Sequence, residues 1–140
     1  MKFCYLLESA ELGGGVRVVL DQVRALRHIG HEVYVRAIRG DTAWYPYPIE
    51  IEYVTQLDLA FEANFSPDVV ICTYWTTVTA GINLAAPLTL HLCQGYEGDI
   101  PELRENHQAI NSIYSLLIPK ITIGEWLSQR LIELFGADRF

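Results

Sequence analysis

The chain has 140 residues, a length that suits one compact domain and leaves little room for two. It is 51% hydrophobic and 19% charged, the balance of a parallel sheet covered on both faces, whose strands are apolar nearly throughout. Seventeen acidic against ten basic residues give a net charge of −7, and the basic residues are scattered. No stripe is available to neutralise nucleic-acid phosphates, and no run approaches the roughly 18 apolar residues of a membrane-spanning helix.

The opening "MKFCYLLESA" has the beginnings of a signal peptide, but its apolar run is five residues and Glu8 follows at once. It reads as a strand, Lys2 to Leu7. A glycine loop then leads into a helix on which Val16, Val19, Leu20, Val23 and Leu26 recur at helical spacing. Gly30 is placed to end that helix in a left-handed conformation, and a second strand runs from Glu32 to Ile38. This strand–helix–strand unit predicts a parallel crossover.

The stretch "RGDTAWYPYPIEIEYV" is irregular, with a short strand expected at Ile49 to Val54. "SPDVVICT" and "LAAPLTLHLCQG" each hold a strand, separated by a short helix over Thr76 to Leu84. "PELRENHQAINSIYSLL" reads as a helix opened by Pro101, "IPKITIG" as a last strand, and "EWLSQRLIELFG" as an amphipathic helix ending at Gly136. The alternation predicts an α/β, Rossmann-like, doubly wound, mainly parallel sheet with helices on both faces. Ligands of such sheets bind beyond the carboxyl ends of the strands, so the loops there are the places to look.

Cys4, Cys72 and Cys93 lie apart inside apolar runs and read as small buried hydrophobes, which points to a reducing, cytoplasmic compartment. The histidines show no metal-ligand spacing with each other or with the cysteines, and no metal is expected.

The glycine loop is the first candidate site. Gly13 and Gly15 fit a dinucleotide fingerprint, but Val18 stands where a third small residue belongs. Arg36 and Arg39 at the end of the second strand leave a narrow NADP reading open, and the lysine–serine pair of a P-loop is absent. Gly13, Gly14 and Gly15 nonetheless precede a helix N-terminus, where free N–H groups favour an anion. A tight turn is the competing explanation.

"HLCQGYEGD" packs His91, Gln94, Tyr96 and Glu97 into a strand end and its loop, a pattern typical of hydroxyl-rich ligands held by hydrogen bonds. His91 reads equally as a core histidine. Tyr74 and Trp75 end the strand before it, where aromatics stack on a sugar ring or pack in the core. Glu125 opens the last helix, as a dipole-complementing residue or as one more side chain in the cleft.

Together these residues resemble a known family. A strand, "GGG" at a helix start and "LRHIGHEVYV" look like the N-terminal domain of retaining glycosyltransferases of family four. "QGYE" is similar to the Q-x-[FY]-E stretch of the rhamnosyltransferase-like branch, and "IPKITIGEWLSQRLIELFG" resembles that family's strand and helix near the domain boundary. The resemblance implies one half of a GT-B architecture, with residues 1–140 as the acceptor-side domain and a C-terminal donor-binding domain as its partner. In that family the paired-glutamate donor motif belongs to the C-terminal domain.

It further implies sugar transfer from a nucleotide-sugar to a sugar or lipid-linked acceptor with retention, without a metal or other cofactor. Gly13, Gly14 and Gly15 would face the donor diphosphate. Catalytic roles fall to His91, Gln94 and Glu97, and acceptor contacts to Tyr74, Trp75, Gln94, Tyr96 and Glu125. Peripheral association with a membrane stays open, and a stand-alone module for NADP or another phosphate ligand is the alternative reading.

Overall fold

A computed structural model describes residues 1–136, so the domain expected over 1–140 is described as far as Gly136. It is an α/β fold on a six-stranded sheet, as the alternation predicts. The strands are β1 (Lys2–Ser9), β2 (Glu32–Arg39), β3 (Glu52–Tyr53), β4 (Val69–Cys72), β5 (Leu88–Cys93) and β6 (Lys120–Thr122). All pairs are parallel, and the order is β3-β2-β1-β4-β5-β6. The helices are α1 (Gly14–His28), α2 (Val78–Asn83), α3 (His107–Tyr114) and α4 (Glu125–Phe135).

Strand alternation sorts the core into two faces. Tyr5 and Leu7 of β1 join Val33, Val35, Val69 and Ile71 beneath Val19 and Val23 of α1. Cys4 and Leu6 point the other way, with Val70, Cys72 and Val78. Cys93 lies on that second face, where Ile110 and Tyr114 of α3 and Leu127 and Leu131 of α4 close over it. The three cysteines are free and buried, and burial pushes each thiol up to about 12. Their inertness fits packing, as the sequence suggests.

The expected turn at Gly30 is present, with φ of 98°, and His31 N–H closes the helix end on Leu26 O at 3.1 Å. Three expectations shorten. β3 is two residues, Glu52–Tyr53, instead of six. β6 covers only Lys120–Thr122. The helix expected from Pro101 begins as a 3-10 turn over Pro101–Asn106 with no buried residue, and becomes α-helical only at His107, where Ile110 and Tyr114 supply an apolar face. β1 runs longer than expected, through Glu8 and Ser9.

The aromatic segment after β2 is a clamp on α1 and the glycine loop. Trp44 Nε1 donates to Ala10 O at 3.0 Å, and Tyr45 Oη donates to Asp21 Oδ1 at 2.6 Å. The Arg24 guanidinium lies 3.4 Å from the Tyr47 ring centre. Further along, Arg36 is buried beneath the connection from β3 to β4. It donates to Glu52 Oε2 at 3.1 Å and to the carbonyls of Leu57 and Leu59, with the Phe61 ring 3.8 Å away.

Candidate functional site

A cleft of about 420 Å³ opens where the strand order reverses, at the carboxyl ends of β1, β4 and β5. β1 contributes Leu7, Glu8 and Ser9, and the loop after β4 contributes Thr73 and Tyr74. Gly15, Val16 and Val19 of α1 form one wall. Gln94 to Glu97, with Ile100, form the other. Thr73 Oγ1 donates to Leu6 O at 2.7 Å, which pins the β4 loop to the end of β1.

The two walls touch. Gln94 Nε2 donates to Gly15 O at 3.0 Å, across 79 residues of sequence. A β-carbon on Gly15 would stand 3.3 Å from that nitrogen, so the glycine provides the room for this contact. Gly13 precedes α1 in an extended conformation with φ of −175°, and Gly14 is exposed with open space around it. Of the three glycines only Gly15 lines the cleft. The first turn of α1 carries no acidic residue and its start has no side-chain cap. Its leading N–H groups therefore remain available to an anion.

Glu97 is 9% exposed and is the most enclosed charged residue among the described residues of the cleft lining. Tyr114 Oη lies against Glu97 Oε2 and also 3.0 Å from Gly95 O, so one hydroxyl proton faces two acceptors. Burial raises the Glu97 carboxyl above the usual carboxylate range, and the contact with Tyr114 pulls it back. Burial likewise raises the Tyr114 phenol, with the Glu97 charge adding to it. Tyr96 turns its hydroxyl to Asn111 Oδ1 and packs edge-on against Tyr114. Its ring occupies the space that a side chain at Gly98 would need, with the nearest ring atom 2.1 Å from an added β-carbon. Asp99 and Arg130 pair at 2.7 Å and tie this loop to α4.

The second carboxylate is Glu8, which Arg39 approaches at 3.6 Å. Tyr74 lines the same cleft as both. Burial raises its phenol, and the charges of Glu97 and Glu8 add to that effect. No lysine or arginine among the described residues lines the cleft.

The residues named from the sequence thus divide. Gly15, Tyr74, Gln94, Tyr96 and Glu97 converge on the cleft. Trp75 lies outside its lining, packed against the cluster of α3 and α4, and its buried indole Nε1 has no hydrogen-bond partner among the described residues. Glu125 is exposed at the start of α4 and does not line the cleft either. His91 is fully buried in the middle of the second face, its ring 4.9 Å from that of Tyr114. Neither ring nitrogen has a hydrogen-bond partner among the described residues. Burial, with the Lys120 charge adding to it, holds the imidazole down at about 3, so it is neutral. Sequence reasoning missed Glu8, Ser9, Thr73 and Tyr114. Tyr114 was hidden by its distance along the chain.

No group of histidine, cysteine, aspartate and glutamate side chains among the described residues is arranged to hold a metal ion. No helix among them is long and apolar enough to cross a membrane. No known family model matches the chain, and no curated protein is detectably similar to it.

Proposed function

We propose that this chain is the acceptor-side domain of a retaining, nucleotide-sugar-dependent glycosyltransferase. The observation that carries the reading is the contact between the glycine-opened start of α1 and the Gln94–Glu97 loop at the switch point of the sheet. It brings together, from opposite ends of the sequence, the two motifs that resemble the family.

The cleft has the chemistry of a hydroxyl-binding site. Two carboxylates, one side-chain amide, a tyrosine hydroxyl and the Thr73 and Ser9 side chains stand around an apolar floor of Leu7, Val16 and Val19. Without a cationic side chain among the described residues, it is poorly suited to hold a diphosphate by itself. In the reading proposed here, a second domain presents the donor. The bond from the sugar anomeric carbon to the diphosphate oxygen breaks, the acceptor oxygen bonds to the same face of that carbon, and the acceptor's hydroxyl proton passes to the departing diphosphate oxygen. Negative charge grows on the departing diphosphate, and the free N–H groups at the start of α1 face it. Gln94, Tyr74 and Glu8 orient the acceptor hydroxyl. Glu97, locked by Tyr114, is a positioning group for the loop.

The NADP alternative rested on Arg36 and Arg39 and on the glycine spacing. Arg36 is committed inside the fold, and Arg39 faces Glu8. Val18, at the fingerprint's third position, is 37% exposed on α1 and is not part of the helix–sheet contact. None of the three favours a nicotinamide site.

The test pairs two assays on the 140-residue chain. Incubation with nucleotide-sugars and saccharide acceptors is expected to give no transfer product, and calorimetric titration with NADP no stoichiometric binding. Robust transfer by the chain alone overturns the half-enzyme reading, and tight NADP binding overturns the glycosyltransferase assignment.

A further inference from the structure

Beside the cleft, on the other side of Glu8, lies a groove of about 330 Å³ that the reaction above does not use. Its wall runs from Gln56 and Asp58, in the connection between β3 and β4, to Thr76, Thr79 and Asn83 around α2. That volume falls at the small end of the roughly 300–1,000 Å³ typical of ligand sites. We propose that this groove is a second subsite, one that recognises the hydroxyls of the next sugar unit of an oligomeric acceptor whose terminal unit sits in the cleft. The inference rests on the glycosyltransferase reading.

Three observations carry it. Glu8 lines both depressions, and Thr73 and Tyr74 of the cleft lead directly into Thr76 of the groove. In this proposal a ligand longer than one ring spans the two depressions over Glu8, the residue they share. The groove also presents donors and acceptors together: two carboxylates, two amides and two threonine hydroxyls. Vicinal hydroxyls, which both donate and accept, are the groups that such a set satisfies. The Asn83 amide already donates to Asp58 Oδ2 at 3.0 Å, which orients that carboxylate with acceptor capacity to spare.

Charge narrows the ligand class further. No lysine or arginine lines the groove, so an anion meets Glu8 and Asp58 without compensation. Arg39 at 3.6 Å offsets the Glu8 charge, which weakens the pull on a polyamine. A neutral, hydroxyl-bearing ligand is what remains. Ile38, Leu57 and Ala80 supply the apolar ground against which the C–H face of a pyranose ring packs.

The experiment is a titration of the isotope-labelled 140-residue chain, followed by amide NMR shifts. The probes are glucose, mannose and rhamnose, with maltotriose and mannotriose as the longer ligands and spermidine as a cationic control. At least one trisaccharide is expected to bind about tenfold more tightly than its monosaccharide. It should shift the amides of Thr76–Asn83 as well as those of Gly15, Gln94 and Gly95. The variant Thr79→Val/Asn83→Ala, both positions being at the surface, should lose that gain while keeping the monosaccharide affinity and an unchanged spectrum elsewhere.

Shifts confined to the cleft, or equal affinities for one ring and three, overturn the subsite and leave the function reading standing. Shifts of Thr76–Asn83 by spermidine and by no saccharide also overturn it. Absence of any saccharide response, at either place, overturns both.

Discussion

His91 and Glu97 sit six residues apart and end up in opposite roles. The histidine is sealed under Tyr114 with neither nitrogen partnered, whereas the glutamate stands at the cleft wall with its carboxyl held by the same tyrosine. The sign of the His91 effect follows from its lowered value. The unfolded chain binds a proton at the ordinary pKa of about 6.5, and the folded chain only near about 3. The His91 contribution is therefore complete above about pH 6.5 and is lost as pH falls toward 3. Between about pH 7 and about pH 5 it should take about 2 kcal/mol from the unfolding free energy, read as a falling urea midpoint. His91→Leu, which removes the titrating group and keeps an apolar filling, should flatten that part of the pH profile. An equally steep fall in the variant would show that other groups cause it. Tyr114→Phe should cost about 1–3 kcal/mol, because it removes the one hydroxyl facing both Glu97 and Gly95 O, and chemical denaturation measures it.

Elements show most clearly what the sequence could and could not reveal. α1, α4 and the strands β1, β2, β4 and β5 were legible because apolar spacing alone specifies them. The shortening of β3 and the 3-10 start of the Pro101 helix were not, because they depend on what those segments pack against. Two glycines, both in helices, separate propensity from packing. Gly14, with open space around it in the first turn of α1, should accept alanine with no loss, or a gain of up to about 1 kcal/mol. Gly81 lies in α2, where an added β-carbon would stand 2.2 Å from Cys72 Sγ. Gly81→Ala should therefore lose about 1–3 kcal/mol by overpacking, and the two urea midpoints should move apart. Arg36 makes the same point for a loop. Its fork holds Glu52 and two carbonyls, so Arg36→Lys, which keeps the charge but not the fork, should still destabilise by about 2 kcal/mol and loosen the segment from Leu57 to Phe61.

For the whole molecule, topology supplies what spacing cannot. The order β3-β2-β1-β4-β5-β6 puts the crevice between β1 and β4 and sets Gly15 against Gln94, although 79 residues separate them. The sequence singled out five residues that line the cleft. It placed Trp75, Glu125 and His91 with them because a strand end and a loop look alike without knowing which face each side chain takes. In the proposed reading, the cleft's two carboxylates, with no lysine or arginine among the described lining residues, suit a neutral acceptor and leave the donor phosphates to another surface.

The central claim is that this cleft holds a neutral hydroxyl-bearing ligand through Gln94 and Tyr74, and the most direct measurement is amide NMR of the chain titrated in parallel with neutral monosaccharides and with NADP. The account predicts weak, saturable shifts at Gly15, Gln94 and Gly95 with at least one monosaccharide, abolished by Gln94→Ala together with Tyr74→Ala, and no saturable shift with NADP. Saturation of the same amides by NADP, or saccharide shifts that survive both substitutions, would contradict it.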